Sequence, residues 1–400
     1  MNKKILIGAI GVILAVLLYF VGGCGDTKTV NTLDAHLGLL KQPSTSINFV
    51  NIYFDASTSM KGYFASGDGQ MSNVVSRFEK VGDKSNMFLI RKNDSLYSYS
   101  GYSTDLQKNL SLFDGGSTHF EKLIPLMCDK SSKGRLAVLV TDGIVFINKN
   151  ASTALEQFQN LLAKSLKGKT KEKAIAIFKY TAKFTSTHVG KGGVCYYDMY
   201  DTPKKLDSPE RPFYIIAVGV PEDILALQNA ADLKPELQLY YGIDKDSTLL
   251  KGEQYSPSKG TAVDPAKDIV LRMTLPKTVS YLYDADKEYF NHSAAKLTLG
   301  EKVLRDTIQY STISQKTENG INIAITVKSP ASTGIGIGTL TYLIENNIPS
   351  PWLALSINDD SSPNVLLYRN KTFGLEYLLK GIKDAFDGSN PLIKTTFEYK

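Results

Sequence analysis

The sequence predicts an α/β protein: a doubly wound, mostly parallel sheet, followed by a smaller β-rich domain and a C-terminal helix. Three observations lead there. Continuous apolar strands alternate with amphipathic helices from residue 47 to about 245, the pattern of a sheet covered on both faces. After about Leu250 the texture changes to Gly, Pro, Ser and Lys and then to short strands between turns. The last strongly periodic stripe is Leu375, Leu378, Leu379, Ile382 and Phe386, one face of a single helix.

Ile47 to Phe54 reads as a buried strand ending at Asp55, because no polar alternation interrupts it beyond Asn48 and Asn51. Met71, Val74, Val75 and Phe78 recur at helical spacing. Met87 to Ile90 is a short apolar strand, and Leu96 to Tyr102 supplies another. Gly115-Gly116 turns into a helix whose inner face is Phe120, Leu123, Ile124 and Met127. Leu136 to Val140 is a continuous apolar strand running into Thr141-Asp142-Gly143. A helix with Leu155, Phe158 and Leu162 on one stripe follows, and Ser152 or Thr153 is placed to cap it. Ala174 to Tyr180 and Phe213 to Val218 are two more strands, with Gly190 to Gly193 the turn of a long hairpin or lid-like insertion between them. Pro221-Glu222-Asp223 opens another helix, proline early and acids in the first turn. In the second half, Ile269–Leu275, Ser280–Tyr283, Lys296–Leu299, Asn322–Val327 and Gly336–Leu343 read as strands of a small antiparallel sandwich or sheet. The closing helix is free to pack on either domain. The expected division is 1–23 leader, 24–45 tether, 46–250 α/β domain, 251–267 linker and 268–400 β-rich domain with its helix.

At 400 residues the chain has room for two globular units, and 42% apolar against 22% charged residues excludes broad disorder. The net charge of +6 is mild and spread along the chain, so nucleic acid is not an expected partner. Lys3 and Lys4 precede an almost wholly apolar run, Ile5 to Val21, and Val21-Gly22-Gly23-Cys24 places small residues before a cysteine. That arrangement resembles the lipobox of bacterial lipoproteins. The resemblance implies cleavage after residue 23, lipid on Cys24, and a body held at the cell envelope by several acyl chains. Gly25 after the cysteine is not an acidic retention residue, which points to the outer membrane if the source has two. An uncleaved signal anchor is the alternative, since the apolar run nearly spans a bilayer. With Cys24 lipidated, Cys128 and Cys195 remain: one disulfide is permitted, and a buried thiol at Cys128 is the competing reading. No zinc-ligand spacing occurs.

Asp55-Ala56-Ser57-Thr58-Ser59 has the form Asp-x-Ser-x-Ser at the end of a buried strand. Gly116-Ser117-Thr118 adds a hydroxyl at a turn into a helix, and Asp142 adds a second carboxylate beyond another strand. In open sheets of this kind ligands bind outside the carboxyl ends of the strands, where both aspartates fall. In this order the elements resemble the metal-ion-dependent adhesion site of von Willebrand factor A and integrin I domains, over roughly residues 46–245. The resemblance implies that Asp55, Ser57, Ser59, Thr118 and Asp142 bind one divalent ion, Mg²⁺ before Mn²⁺, with Ca²⁺ less suited to so compact a set. Thr58 stands where many relatives have glycine. Hydroxyls would then ligate directly and the carboxylates partly through water. The ion would stay electrophilic enough to take an Asp or Glu carboxylate from a partner protein or peptide. The bland alternative is that the aspartates and serines are ordinary turn residues and Thr118 an N-cap. His119 reads as a loop residue beside the site, and Asp114 and Glu121 as solvated or capping residues.

The function expected is a membrane-anchored adhesion or envelope-assembly module and not an enzyme, with no catalytic residue assigned. Two alternatives belong to other classes. One is a metal-assisted hydrolase, for which no general base, nucleophile elbow or His/Cys pairing is apparent. The other is a metal-independent scaffold that binds through the Lys183–Tyr200 insertion or the C-terminal sheet.

Overall fold

The computed structural model describes residues 47–147, 153–186, 196–206, 208–230, 232–243, 251–255, 269–276, 279–290, 295–299, 302–303, 310–318, 320–327, 338–344, 347–386 and 393–399. The expected leader, Cys24, the tether, the Gly190–Gly193 turn and Cys195 lie outside the described residues. Among the described residues no helix is long and apolar enough to cross a membrane.

The strands are β1 Phe49–Asp55, β2 Lys84–Ile90, β3 Leu96–Tyr99, β4 Arg135–Thr141, β5 Ala174–Phe184, β6 Tyr196–Tyr197, β7 Pro203–Lys204, β8 Ser208–Gly219 and β9 Leu237–Tyr241. Beyond them come β10 Lys251–Tyr255, β11 Ile269–Pro276, β12 Ala295–Leu299, β13 Lys302–Val303, β14 Tyr310–Thr317 and β15 Gly320–Val327. The last four are β16 Gly338–Ile344, β17 Ser356–Ile357, β18 Thr372–Phe373 and β19 Ile393–Tyr399. The α-helices are α1 Lys61–Ala65, α2 Gln70–Glu79, α3 Phe120–Lys130, α4 Ala154–Leu166, α5 Pro221–Gln228, α6 Ser280–Ala285, α7 Ser350–Leu353 and α8 Leu375–Ala385.

A mixed seven-stranded sheet, in the order β3-β2-β1-β4-β8-β5-β9, forms the frame of the α/β half. β1 pairs in parallel with both β2 and β4, whereas β8 runs antiparallel between β4 and β5. β1, β2, β4 and β5 therefore point the same way and end at one edge. The insertion makes β5 and β8 an antiparallel pair, as a long hairpin requires, with Tyr180 opposite Phe213. β1 and β4 are central, and Ile52, Phe54, Val138 and Val140 are wholly buried. Their lack of alternation follows from burial on both faces.

Helices cover both faces. On one, Phe78 of α2 meets Phe178 and Tyr180, and Tyr63 of α1 meets Phe184 and Phe213, with ring centroids 5.0 to 6.4 Å apart. On the other, Trp352 of α7 stacks on Tyr214 and Phe386 on Tyr241. The C-terminal helix resolves its two options: α8 packs on α4 of the α/β half, with Gly381 seated where an added Cβ would meet Gln159 O and Leu162 at 3.0 Å. Leu375, Leu378, Leu379 and Ile382 are all buried there, each contributing about 1.5–3 kcal/mol. β19 follows α8, so the helix does not close the chain.

Several local expectations change. Ser280–Tyr283 is helical, not a strand: Tyr281 and Leu282 are adjacent and both buried, which a helix face allows and alternation forbids. Lys251–Tyr255, expected in the linker, is an edge strand paired in parallel with β19. The β-rich half comprises a five-stranded sheet, β10-β19-β16-β12-β13, and a three-stranded antiparallel sheet, β11-β15-β14. Thr153 occupies the N-cap position of α4 without capping it; its hydroxyl accepts instead from the Gln157 side-chain amide at 3.1 Å. Cys128 is a free, buried thiol, pushed up to about 11 by burial.

Candidate metal centre

The first and third loops expected to form the site leave the carboxyl edge of the sheet, the second reaches it after two short 3-10 turns, and the three are tied to one another. β1 ends at Asp55, and Ala56 N–H donates to Ile90 O of β2 at 3.0 Å. Gly115 N–H donates to Ala56 O at 2.9 Å, and a parallel bridge joins Ser57 to Gly115. Thr58 Oγ1 donates back to Gly115 O at 3.3 Å. Gly115 is required by this approach, since an added Cβ would sit 2.8 Å from Ala56 O. The third loop joins the first through Thr141, whose hydroxyl donates to Asp55 Oδ2 at 2.8 Å and accepts from Gly143 N–H at 3.1 Å.

Within this frame Asp55 is 2% exposed and Asp142 3%. Each carboxylate uses one oxygen in a turn of its own loop: Asp55 Oδ1 accepts from Ser57 N–H at 2.9 Å, and Asp142 Oδ1 from Ile144 N–H at 3.2 Å. The turn-residue alternative thus accounts for half of each carboxylate. Asp142 Oδ2 is buried with no hydrogen-bond partner, a costly state for an ionised oxygen. The Ser57 and Ser59 hydroxyls lie 3.1 Å apart, and Ser59 interacts with Asp142. Ser57 holds the N-cap position of the short helix Thr58–Met60, but its side chain makes no capping bond.

Thr118 is also buried, and the capping alternative does not describe it. α3 begins at Phe120 with His119 at the N-cap, and no side chain caps it. Thr118 lies three residues beyond the bridged Gly115 and next to His119, whose ring meets Phe146 after the Asp142 loop. His119 Nδ1 pairs with Asp94 Oδ1 at 3.0 Å and is turned to that partner. Asp114 is exposed, as expected of a solvated residue, and forms a surface ion pair with Arg91.

Burial, and next the adjacent Asp142 charge, push the Asp55 carboxyl up to about 6. Burial raises Asp142 as well, opposed by Ser59 and by the charge of Arg211. Two buried carboxylates, two neighbouring hydroxyls and one unpartnered oxygen form a hard-oxygen set, the donor chemistry of small hard cations. Among the described residues no group of three or more His, Cys, Asp or Glu is placed to hold a metal, so any ion here would rely on the hydroxyls.

Sequence reasoning missed three neighbours. Thr141 orients Asp55, and its only signal was its place beside Asp142. Tyr63 donates to Pro212 O at 2.5 Å, linking the helix after the first loop to β8. Arg211 is 1% exposed, between the Phe184 and Tyr196 rings at 5.3 and 4.9 Å. Comparison with family models, with curated proteins and with solved structures finds no match.

Proposed function

We propose that this protein is a membrane-anchored, von Willebrand factor A-like module that binds a divalent ion, Mg²⁺ or Mn²⁺, at Asp55, Ser57, Ser59, Thr118 and Asp142. The ion's open position then engages an Asp or Glu carboxylate of a partner protein, in adhesion or envelope assembly. The observation that carries this reading is the buried, unpartnered Asp142 Oδ2, beside a second buried carboxylate and the paired hydroxyls of Ser57 and Ser59. A dication would satisfy that oxygen and offset the repulsion between Asp55 and Asp142. Because hydroxyls would supply much of the coordination, charge would remain on the ion to attract a partner's acid.

Anchoring through lipid on Cys24 belongs to the same proposal and rests on the leader alone. Palmitate labelling of the full chain, lost in Cys24→Ser, tests it.

The partner claim is tested by cross-linking intact cells that carry the full chain, with and without EDTA, beside Asp142→Ala. The proposal predicts one or more adducts that EDTA and the substitution both remove and that Mg²⁺ restores. Adducts indifferent to both would replace it with the metal-independent scaffold.

A further inference from the structure

The sheet register sets Arg211 at the same sheet edge as the candidate site. Thr141, the last residue of β4, lies opposite Tyr214 of β8. β8 runs antiparallel, so Phe213, Pro212 and Arg211 precede Tyr214 at the edge where Asp142 follows Thr141. Arg211 accordingly lies past the carboxyl end of β4, opposite Ala182 of β5. Its guanidinium is fully enclosed: Nη1 donates to Arg369 O at 2.8 Å, and the Phe184 and Tyr196 rings flank it. Nε and Nη2 have no hydrogen-bond partner. Those two nitrogens make up one edge of the guanidinium, the fork that grips a carboxylate with two parallel bonds. Asp142, which follows Thr141 at the same edge, also has a buried unpartnered atom, Oδ2.

A buried guanidinium and a buried carboxylate at one edge of the sheet, each with an unpartnered polar atom, can balance each other's charge without an outside ion. Burial works against the charge of each: it is opposed at Arg211 by Tyr63, Tyr196 and then Asp142, and at Asp142 by Ser59 and then Arg211. We propose that Arg211 is the resident counter-cation of this site, balancing Asp142 in the metal-free protein and competing with an incoming divalent ion for that carboxylate. The proposal rests on the metal reading above. Arg211 is then a positioning residue that sets the site's affinity, and it is tied to two distant parts of the chain. Tyr196 hydrogen-bonds Asp360, and the Arg369 carbonyl lies three residues before Thr372, whose hydroxyl approaches Asp142 O at 3.5 Å. Metal entry would therefore be felt at the β6 hairpin and the 358–372 segment.

Mg²⁺ and Mn²⁺ titrations of the full-length protein, wild type beside Arg211→Gln and Arg211→Lys, test this. Removing the competing charge is expected to tighten the divalent ion about tenfold or more in Arg211→Gln, about 1.4 kcal/mol. Arg211→Lys, which keeps the charge, should stay near wild type. Wild-type binding with equal or weaker binding in a folded Arg211→Gln overturns this proposal and leaves the metal reading standing. Binding in neither protein overturns both, whereas binding in Arg211→Gln alone supports both. If Arg211→Gln does not fold, the ¹⁵N signal of Arg211 Nε in wild type, assigned by its absence in Arg211→Lys, decides. It should move along the Mg²⁺ titration, and an unmoved signal at saturation overturns the proposal.

Discussion

Replacing Asp55 by Asn should stabilise the metal-free protein at neutral pH while abolishing its metal binding. The Asp55 carboxyl is wholly enclosed, and burial and the Asp142 charge raise it from an ordinary 3.8 to about 6. The folded state therefore holds the Asp55 proton more tightly than the unfolded state does. Stability from this group is fully present below about pH 4 and is lost as pH rises through about 6. At 1.36 kcal/mol per pKa unit, the ionised carboxylate costs the fold about 3 kcal/mol above that pH. Asn has the same shape and removes the charge. Its oxygen can accept from Ser57 N–H, but its amide no longer accepts the Thr141 hydroxyl, a loss of about 1 kcal/mol. The balance is a gain of about 2 kcal/mol at pH 8 that shrinks to zero or reverses near pH 4.5. Urea unfolding of the full-length protein in EDTA at both pH values measures it. Excess Mg²⁺ should then raise the wild type and leave Asp55→Asn unmoved. A variant no more stable than wild type at pH 8, with a difference independent of pH, would refute the reasoning.

Other substitutions probe the frame. Gly115→Val places carbon atoms against Ala56 O, so unfolding measurements should show a loss of about 1–3 kcal/mol, and metal binding should fall with it. Gly381→Leu should force α8 from α4 at a cost of about 1–3 kcal/mol, read as a lower urea midpoint. Cys128, buried with its thiol pushed up to about 11, should resist maleimide in the native protein at pH 7 and react at once in denaturant. Metal affinity should weaken as pH falls through about 6, because the ion must displace a proton held by Asp55. Affinity unchanged between pH 8 and 5 would count against a carboxylate site.

What was legible in the sequence was set by burial. β1 and β4 are enclosed on both faces, so they appear as nearly continuous apolar runs, and Asp55 at the end of one and Asp142 just past the other mark the sheet's carboxyl edge. Helices with one wet face were equally plain, as in α2 and α8. Strands without a consistent apolar face were not: β10 and β14 are mostly polar, and pairing makes them strands, β10 with the distant β19 and β14 with the neighbouring β15. Tyr281 and Leu282 misled for the opposite reason, since so short an apolar run fits either period. In the site, the oxygens close in sequence were found and their supports were not. Thr141 reaches Asp55 only through the fold, and a lone arginine in the polar start of β8 carries no local sign of burial.

The central claim is that one divalent ion sits among Asp55, Ser57, Ser59, Thr118 and Asp142. The most direct test is anomalous diffraction from crystals of the protein soaked in Mn²⁺. The account predicts a single strong peak at about 2.0–2.3 Å from the Ser57, Ser59 and Thr118 hydroxyl oxygens, absent in Asp142→Ala. No peak at that position, or one that persists in Asp142→Ala, would contradict it.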